Sequence, residues 1–223
     1  AITSLLLHRT ETFSPKADKV YNGKVENWIK LANSLKLRMA MRMVYADPAT
    51  AQAKALEAIN SEYGGVLTTN DDNATIQATT NPFRVIMYEY NGGDSRIAAD
   101  ITAYMNGYKD PRREKYFVES TFTTEDGVKN GYYGIRLGTE PLPSETAHKY
   151  SNINVEASTK LVWMTAAEVA FLCAEGALRG WNMGGTAESF YQEGVELSFG
   201  QWGASGAAAY LEDGSSLPDL YKD

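Results

Sequence analysis

Between Lys24 and Tyr45, apolar residues return every three or four positions. Val25, Trp28, Ala32, Leu35, Met39 and Met43 would share one side of a helix. Asn27, Lys30, Ser34, Arg38 and Arg42 form a polar stripe along another side, and Leu37, Met41 and Val44 add a second apolar flank. A helix apolar on two sides needs neighbours on two sides, so this spacing predicts one member of a layered helical array. Asp47 suits an N-cap and Pro48 the first helical position, so a second helix opens there and runs to Asn60, with Ala49, Ala53, Leu56 and Ile59 on one face. Gly64-Gly65 stops it. Residues 24–60 thus read as a helical hairpin.

Periodicity then fades. Val66–Asn91 is rich in Thr, Asn and Asp, and Pro82–Tyr90 reads as a buried extended segment. After Gly92-Gly93, Asp94 or Ser95 is expected to cap a third helix with Ile97, Ile101, Tyr104, Met105 and Tyr108 inward, ended by Asn106-Gly107. Lys109–Val162 is irregular, with turns at Asp110-Pro111-Arg112 and around Tyr132-Tyr133-Gly134. Helical order returns at Thr165, where Thr165-Ala-Ala-Glu168 has the spacing of a capping box and Val169, Leu172, Cys173 and Ala177 follow on one face. A last helix is capped by Thr186 and ends near Trp202, and the tail Gly203–Asp223 reads as loop. The second hairpin, 165–202, has the length of a tetratricopeptide unit, about 34 residues, with Gly176, Ala177 and Gly194 where helices could cross closely. The expectation is a mainly α fold in one domain, 1–223, built of tetratricopeptide-like hairpins with a long loop-rich insertion over 62–162. Long ordered loops are usually functional.

Composition narrows the chemistry. With 43% hydrophobic and 22% charged residues the chain is an ordinary globular one. Its net charge of −7 and the lack of a Lys/Arg cluster beyond Arg112-Arg113 argue against nucleic acid. The single cysteine, Cys173, rules out an internal disulfide and lies in an apolar helical run, where a small buried residue is the ordinary role. No apolar run approaches the ~20 residues that span a bilayer. His8 and His148 stand far apart without ligand-spaced partners, and there is no Gly-rich phosphate loop. Asn70-Asp71-Asp72-Asn73 invites calcium but lacks the EF-hand spacing and terminal Glu, so a solvated turn is expected. No cofactor, no metal and no catalysis are indicated. A glycosidase-like carboxylate pair stays open in principle, although none sits in a recognisable setting.

The aromatics are more informative. Many of the 14 Tyr and 4 Trp lie in Gly-, Asn- and Thr-rich stretches. A flat ring offers an apolar face to the C–H face of a sugar, while neighbouring Asn, Asp and Arg meet its hydroxyls. Tyr88, Tyr90, Tyr132, Tyr133 and Trp163 are the candidate ligand-binding residues of this kind; the alternative for each is packing under the loops.

Three stretches together resemble a known family: Asn27–Arg42 (NWIKLANSLKLRMAMR), Asp100–Tyr116 with Tyr104-Met105-Asn106-Gly107 and Asp110-Pro111-Arg112, and Ala167–Trp181 (AEVAFLCAEGALRGW). They look like SusD/RagB-type outer-membrane lipoproteins of Bacteroidetes, in family order over nearly the whole chain. The resemblance implies a lipid-anchored, surface-exposed, non-catalytic capture protein with helical hairpins and a loop-rich ligand lobe. Such a protein binds a glycan or oligosaccharide, or in some members a peptide, and sits over a SusC-like TonB-dependent transporter. The chain is much shorter than such a protein and lacks the lipid-bearing Cys region and the segment expected after Gly203, so it reads as an internal portion of a longer member. The competing functional reading is a helical-repeat scaffold that binds a protein partner through a concave face.

Overall fold

The computed structural model describes residues 1–124, 127–129 and 131–214. Its helices in chain order are α1 (Ile2–Leu7), α2 (Val25–Arg42), α3 (Pro48–Ile59), α4 (Pro82–Tyr88), α5 (Ala99–Gly107), α6 (Arg113–Tyr116), α7 (Ser144–Ala147), α8 (Ala166–Leu178), α9 (Ala187–Trp202) and α10 (Ala207–Glu212). Among the described residues short strands accompany them: β1 (Ala74–Ile76), β2 (Phe117–Val118), β3 (Phe122–Thr124), β4 (Gly127–Lys129), β5 (Asn152–Ile153) and β6 (Leu161–Met164). They pair antiparallel as β1–β6, β2–β5 and β3–β4. The fold is mainly α. Two compact units divide it: Ala1–Gln77 with Leu161–Gln201, and Ala78–Lys160 with Trp202–Asp223.

The first unit carries both expected hairpins. Asp47 caps α3 through the Thr50 N–H at 3.0 Å with Pro48 at the first position, and Thr165 caps α8 by accepting from the Glu168 N–H at 3.1 Å. The other half of the expected box is absent because the Glu168 carboxylate is engaged elsewhere. It forms a fork with Arg38 of α2, Nε and Nη2 each 2.6 Å from a carboxylate oxygen, which ties α2 to α8. Gly194 serves the close helix approach expected of it, whereas Gly176 makes room for Met183 in the loop after α8. A Cβ at Gly194 would stand 2.6 Å from the Phe171 ring, and one at Gly176 would stand 2.8 Å from Met183 Sδ.

The buried face of α2 differs from the one the apolar spacing predicts. Val25, Ile29, Leu31, Asn33, Ser34, Leu37, Ala40 and Met41 are buried, whereas Leu35 is exposed and Met39 is 69% exposed. Two polar residues at core positions explain the shift. Asn33 Nδ2 donates to Tyr63 O (2.6 Å) and Gly65 O (2.9 Å), and Ser34 Oγ donates to Lys30 O while accepting from the Leu67 N–H at 3.0 Å. These bonds satisfy the irregular backbone after α3, which has no ladder of its own. Gly64 closes that turn at φ +93°, and a Cβ there would stand 2.4 Å from Ile29 Cγ2. Likewise the buried face of α3 is Ala51, Ala55 and Ala58, with Leu56 and Ile59 partly buried beside it.

The Asn70–Asp72 turn is not the solvated one expected. Asp72 is buried, receives Lys30 Nζ at 2.7 Å and accepts from the Thr68 and Thr69 N–H groups, while the Tyr21 hydroxyl donates to the Asp72 carbonyl. Burial alone would raise the Asp72 carboxyl, but Lys30 and the backbone donors outweigh it and hold it below its ordinary value. Cys173 is buried on α8, its thiol pushed up to about 12 by burial and by Glu193.

In the second unit Pro82–Tyr88, expected to be extended, is helix α4. Buried Asn81 caps it, accepting from the Phe83 N–H at 2.9 Å and donating through Nδ2 to Thr159 O at 2.9 Å. α5 begins at Ala99, later than Asp94 or Ser95 would allow, and its first N–H bonds to Ile135 O at 2.8 Å. Asp94 instead accepts from Ser144 Oγ and faces His148 Nε2, both at 2.9 Å. Ile97 and Met105 are buried with Phe117, while Ile101 and Tyr104, expected inward, are exposed. The tail is not wholly loop, since Ala207–Glu212 is the short helix α10.

Candidate functional site

The backbone of Ser151–Ile153 holds two of the five candidate residues directly, Tyr88 and Tyr133, with Tyr132 next to the latter in the chain. Tyr88, the last residue of α4, donates its hydroxyl to Ile153 O at 2.6 Å, and Asn152 Nδ2 reaches back to Met87 O at 2.9 Å. On the other side Ser151 exchanges two bonds with Tyr133: Ser151 N–H to Tyr133 O at 2.8 Å and Tyr133 N–H to Ser151 Oγ at 3.0 Å. β5 also pairs with β2, in the register Phe117↔Ile153. One short extended segment thus fixes α4, Tyr132-Tyr133 and β2 with directional bonds, so the rings sit on ordered backbone despite the shortage of regular structure.

The four tyrosines are not equivalent. Tyr132 is half-buried against the Ile97–Met105–Phe117 cluster, with Asn106 Nδ2 donating to its carbonyl at 2.7 Å. Tyr88 is half-buried too, its hydroxyl committed to Ile153 O and one ring face covered by the Arg84 guanidinium 4.0 Å from the centroid. Burial raises both phenols above their ordinary value, and both therefore stay neutral donors at physiological pH. The rings open to solvent are Tyr90, 64% exposed, and Tyr133, 36% exposed. Tyr90 follows α4 in a tight turn where Asn91 and Gly92 both take positive φ.

Local sequence explains the pose of Tyr133. A Cβ at Gly131 would stand 2.9 Å from Tyr133 Cε2, so glycine leaves room for the ring. A Cβ at Gly134 would strike the Ala98 backbone at 2.4 Å, where Ile135 bridges to residues 97–99. Phe122 then packs edge-on against both Tyr133 and Tyr150.

Trp163 belongs to the first unit, on β6, and is 52% exposed. That unit also has a cleft of about 240 Å³ beside Cys173, lined by Ile59, Val66, Val169, Met183 and Phe190 with Glu193. Its walls are aliphatic for the most part and include none of the five candidates. The spacing did not reveal Tyr104 as a surface aromatic; it is exposed and stacks at 6.2 Å on partly buried Tyr108, just past the end of α5. Its helical spacing from buried Ile97 and Met105 concealed this. His148 is linked to Asp94 and Ser144, and His8 to Glu11 at 2.9 Å. Among the described residues no His, Cys, Asp and Glu side chains cluster as a metal site, and no helix is long and apolar enough to cross a membrane.

A family model described as SusD-like, "Susd and RagB outer membrane lipoprotein", matches residues 1–223. No curated protein matches the chain. Among solved structures, a SusD homologue from Bacteroides thetaiotaomicron is 45% identical with a TM-score of 0.90, covering 100% of this chain and 46% of its own. A SusD homologue from Bacteroides uniformis is 45% identical with a TM-score of 0.91 and the same coverage. A chitin-binding SusD homologue from Flavobacterium johnsoniae is 37% identical with a TM-score of 0.86, over 97% of this chain and 45% of its own. The chain therefore spans about half the length of these solved relatives.

Proposed function

The chain belongs to the SusD-like family of outer membrane lipoproteins, and from that premise we propose that it forms the ligand-capturing part of a protein that binds glycans at the cell surface without transforming them. The observation that carries this reading is the pair of solvent-facing rings, Tyr90 and Tyr133, in a unit whose backbone is pinned at Ser151–Ile153. Rings presented on ordered backbone lose little freedom when a sugar stacks on them, and that lowers the entropic cost of binding. Half-buried Tyr88 and Tyr132 support the segment and contribute edges. Trp163 is a further ring, in the first unit. Family membership, with one relative described as chitin-binding, points the ligand class toward oligosaccharides.

In the whole protein, this capture would take place at the outer membrane on a lipid anchor, with delivery to a SusC-like TonB-dependent transporter. Calorimetric titration of the whole protein with a panel of oligosaccharides, chito-oligosaccharides included, tests the proposal. Binding that falls at least tenfold in Tyr90→Ala and Tyr133→Ala is the expected result. If no sugar binds while a peptide library does, peptide uptake replaces it. If only a protein partner binds, through the helical faces, the protein is a scaffold.

A further inference from the structure

One cationic group beside the candidate site lacks a hydrogen-bond acceptor among the described residues. Arg84 of α4 lies with its guanidinium against the Tyr88 ring, an arrangement that fixes the plane of the fork. Its five N–H donors have no hydrogen-bond acceptor among the described residues, and its Nη1 is shut off from solvent without a partner. The nearest carboxylate oxygen, on well-exposed Glu89, stands 3.9 Å from that nitrogen, beyond hydrogen-bonding distance.

Arg96 also acts on Tyr88, its charge opposing the rise that burial gives the phenol. Its Nη1 donates to the Gly93 carbonyl and to Ser95 O at 2.6 Å, but its Nε is buried without a partner. The acids nearby are Glu89, Asp94 and Glu156. Asp94 is already shared between Ser144 and His148. Two other guanidinium forks of the unit show the contrast: Arg112 forms a two-pronged pair with Asp110, and Arg113 donates to Asn106 Oδ1 and to Asp110 O.

A desolvated guanidinium edge without an acceptor is costly, by more than a neutral donor would be. A planar carboxylate or sulfate is the group that matches such a fork. Arg84 is 30% exposed on its side chain and is six residues from the open ring of Tyr90. We propose that Arg84, supported by Arg96, forms a subsite for the acidic group of a sugar, so that the glycan captured is a uronic-acid or sulfated one. This rests on the glycan reading above and specifies its ligand class. The sugar face stacks on the open ring, and the acid displaces the loose Glu89 contact.

The test uses two matched pairs and the whole protein: tetragalacturonate with its full methyl ester, and a κ-carrageenan tetrasaccharide with its desulfated, neutral form. Within each pair the stacking surface is shared and the charge differs. The expected result, in at least one pair, is at least tenfold tighter binding of the acidic member. The preference should weaken with added salt. Arg84→Gln should bring the acid to the level of its neutral partner with the melting temperature unchanged, and Arg84→Lys should restore part of the preference. Equal binding within both pairs, no binding by either acid, or an undiminished preference in Arg84→Gln overturns the subsite. Chito-oligosaccharide binding measured alongside shows whether the glycan reading stands without it.

Discussion

The ring of Tyr133 rests against Gly131, where a Cβ would come within 2.9 Å of Cε2. Gly131→Ala must move that ring or the loop that carries it. Strain of this kind costs about 1–3 kcal/mol. Glycan titration together with denaturant melts should show reduced stability, or an affinity reduced as far as in Tyr133→Ala. A variant matching wild type in both measurements shows that the ring has room to spare and no fixed pose.

Tyr88 and Tyr90 divide structural from contact roles. Tyr88→Phe strands the Ile153 carbonyl and should destabilise the second unit by about 1–2 kcal/mol in urea unfolding. Tyr90→Phe keeps the flat ring and should leave both stability and sugar binding unchanged. Tyr90→Ala should weaken binding at least tenfold at unchanged stability. Equal loss of binding in Tyr90→Phe and Tyr90→Ala would mean that the hydroxyl, and not the ring face, makes the contact.

On α2 the buried polar residue should matter more than the exposed apolar one. Ser34→Ala leaves the Leu67 N–H without its acceptor and should cost about 1–3 kcal/mol. Met39→Lys changes a solvent-facing position and should stay within ~0.5 kcal/mol. Thermal and chemical melts of the two variants decide the matter, and the reverse order would place the hydrophobic face where the apolar spacing alone puts it.

Acid should loosen the first unit through Asp18 and Asp72. Burial opposes ionisation at each. At Asp18 the Trp28 indole and the N–H groups of Gly23, Val20 and Tyr21 outweigh burial, and at Asp72 Lys30 and the Thr68 and Thr69 N–H groups do so. Both folded values therefore lie below the unfolded one, near 3.9. The stabilisation is complete above about pH 4 and is lost as pH falls through the lower folded values. Asp72→Asn should be less stable at neutral pH, and its stability should depend less steeply on pH below 4. A variant with the wild-type acid profile would remove Asp72 from this account.

Much of the frame was legible in the chain. Asp47-Pro48 and Thr165 located helix starts because capping is local chemistry, and Gly194 marked a helix crossing because a missing Cβ matters only where something packs on it. The face of α2 was not legible, since Asn33 and Ser34 hold core positions through bonds to backbone 30 or more residues away. α4 carried the same signal as α3, an Asn81-Pro82 start, but its apolar run imitates a strand. Tyr90 and Tyr133 stand out by composition as exposed-loop aromatics. The anchoring of Tyr133 to Ser151 depends on pairing that no periodicity announces, and the unmatched donors of Arg84 depend on what fails to surround it.

The β1–β6 ladder has an evolutionary consequence. Ile76 faces Leu161 across it, so the chain leaves the first unit and re-enters it at adjacent points. An excursion whose two ends are held side by side can be lengthened or shortened, because each doubling of a flexible loop adds only ~0.6 kcal/mol of closure entropy. Residues 78–160 can therefore change in length or sequence while the β1–β6 ladder that brackets them is kept.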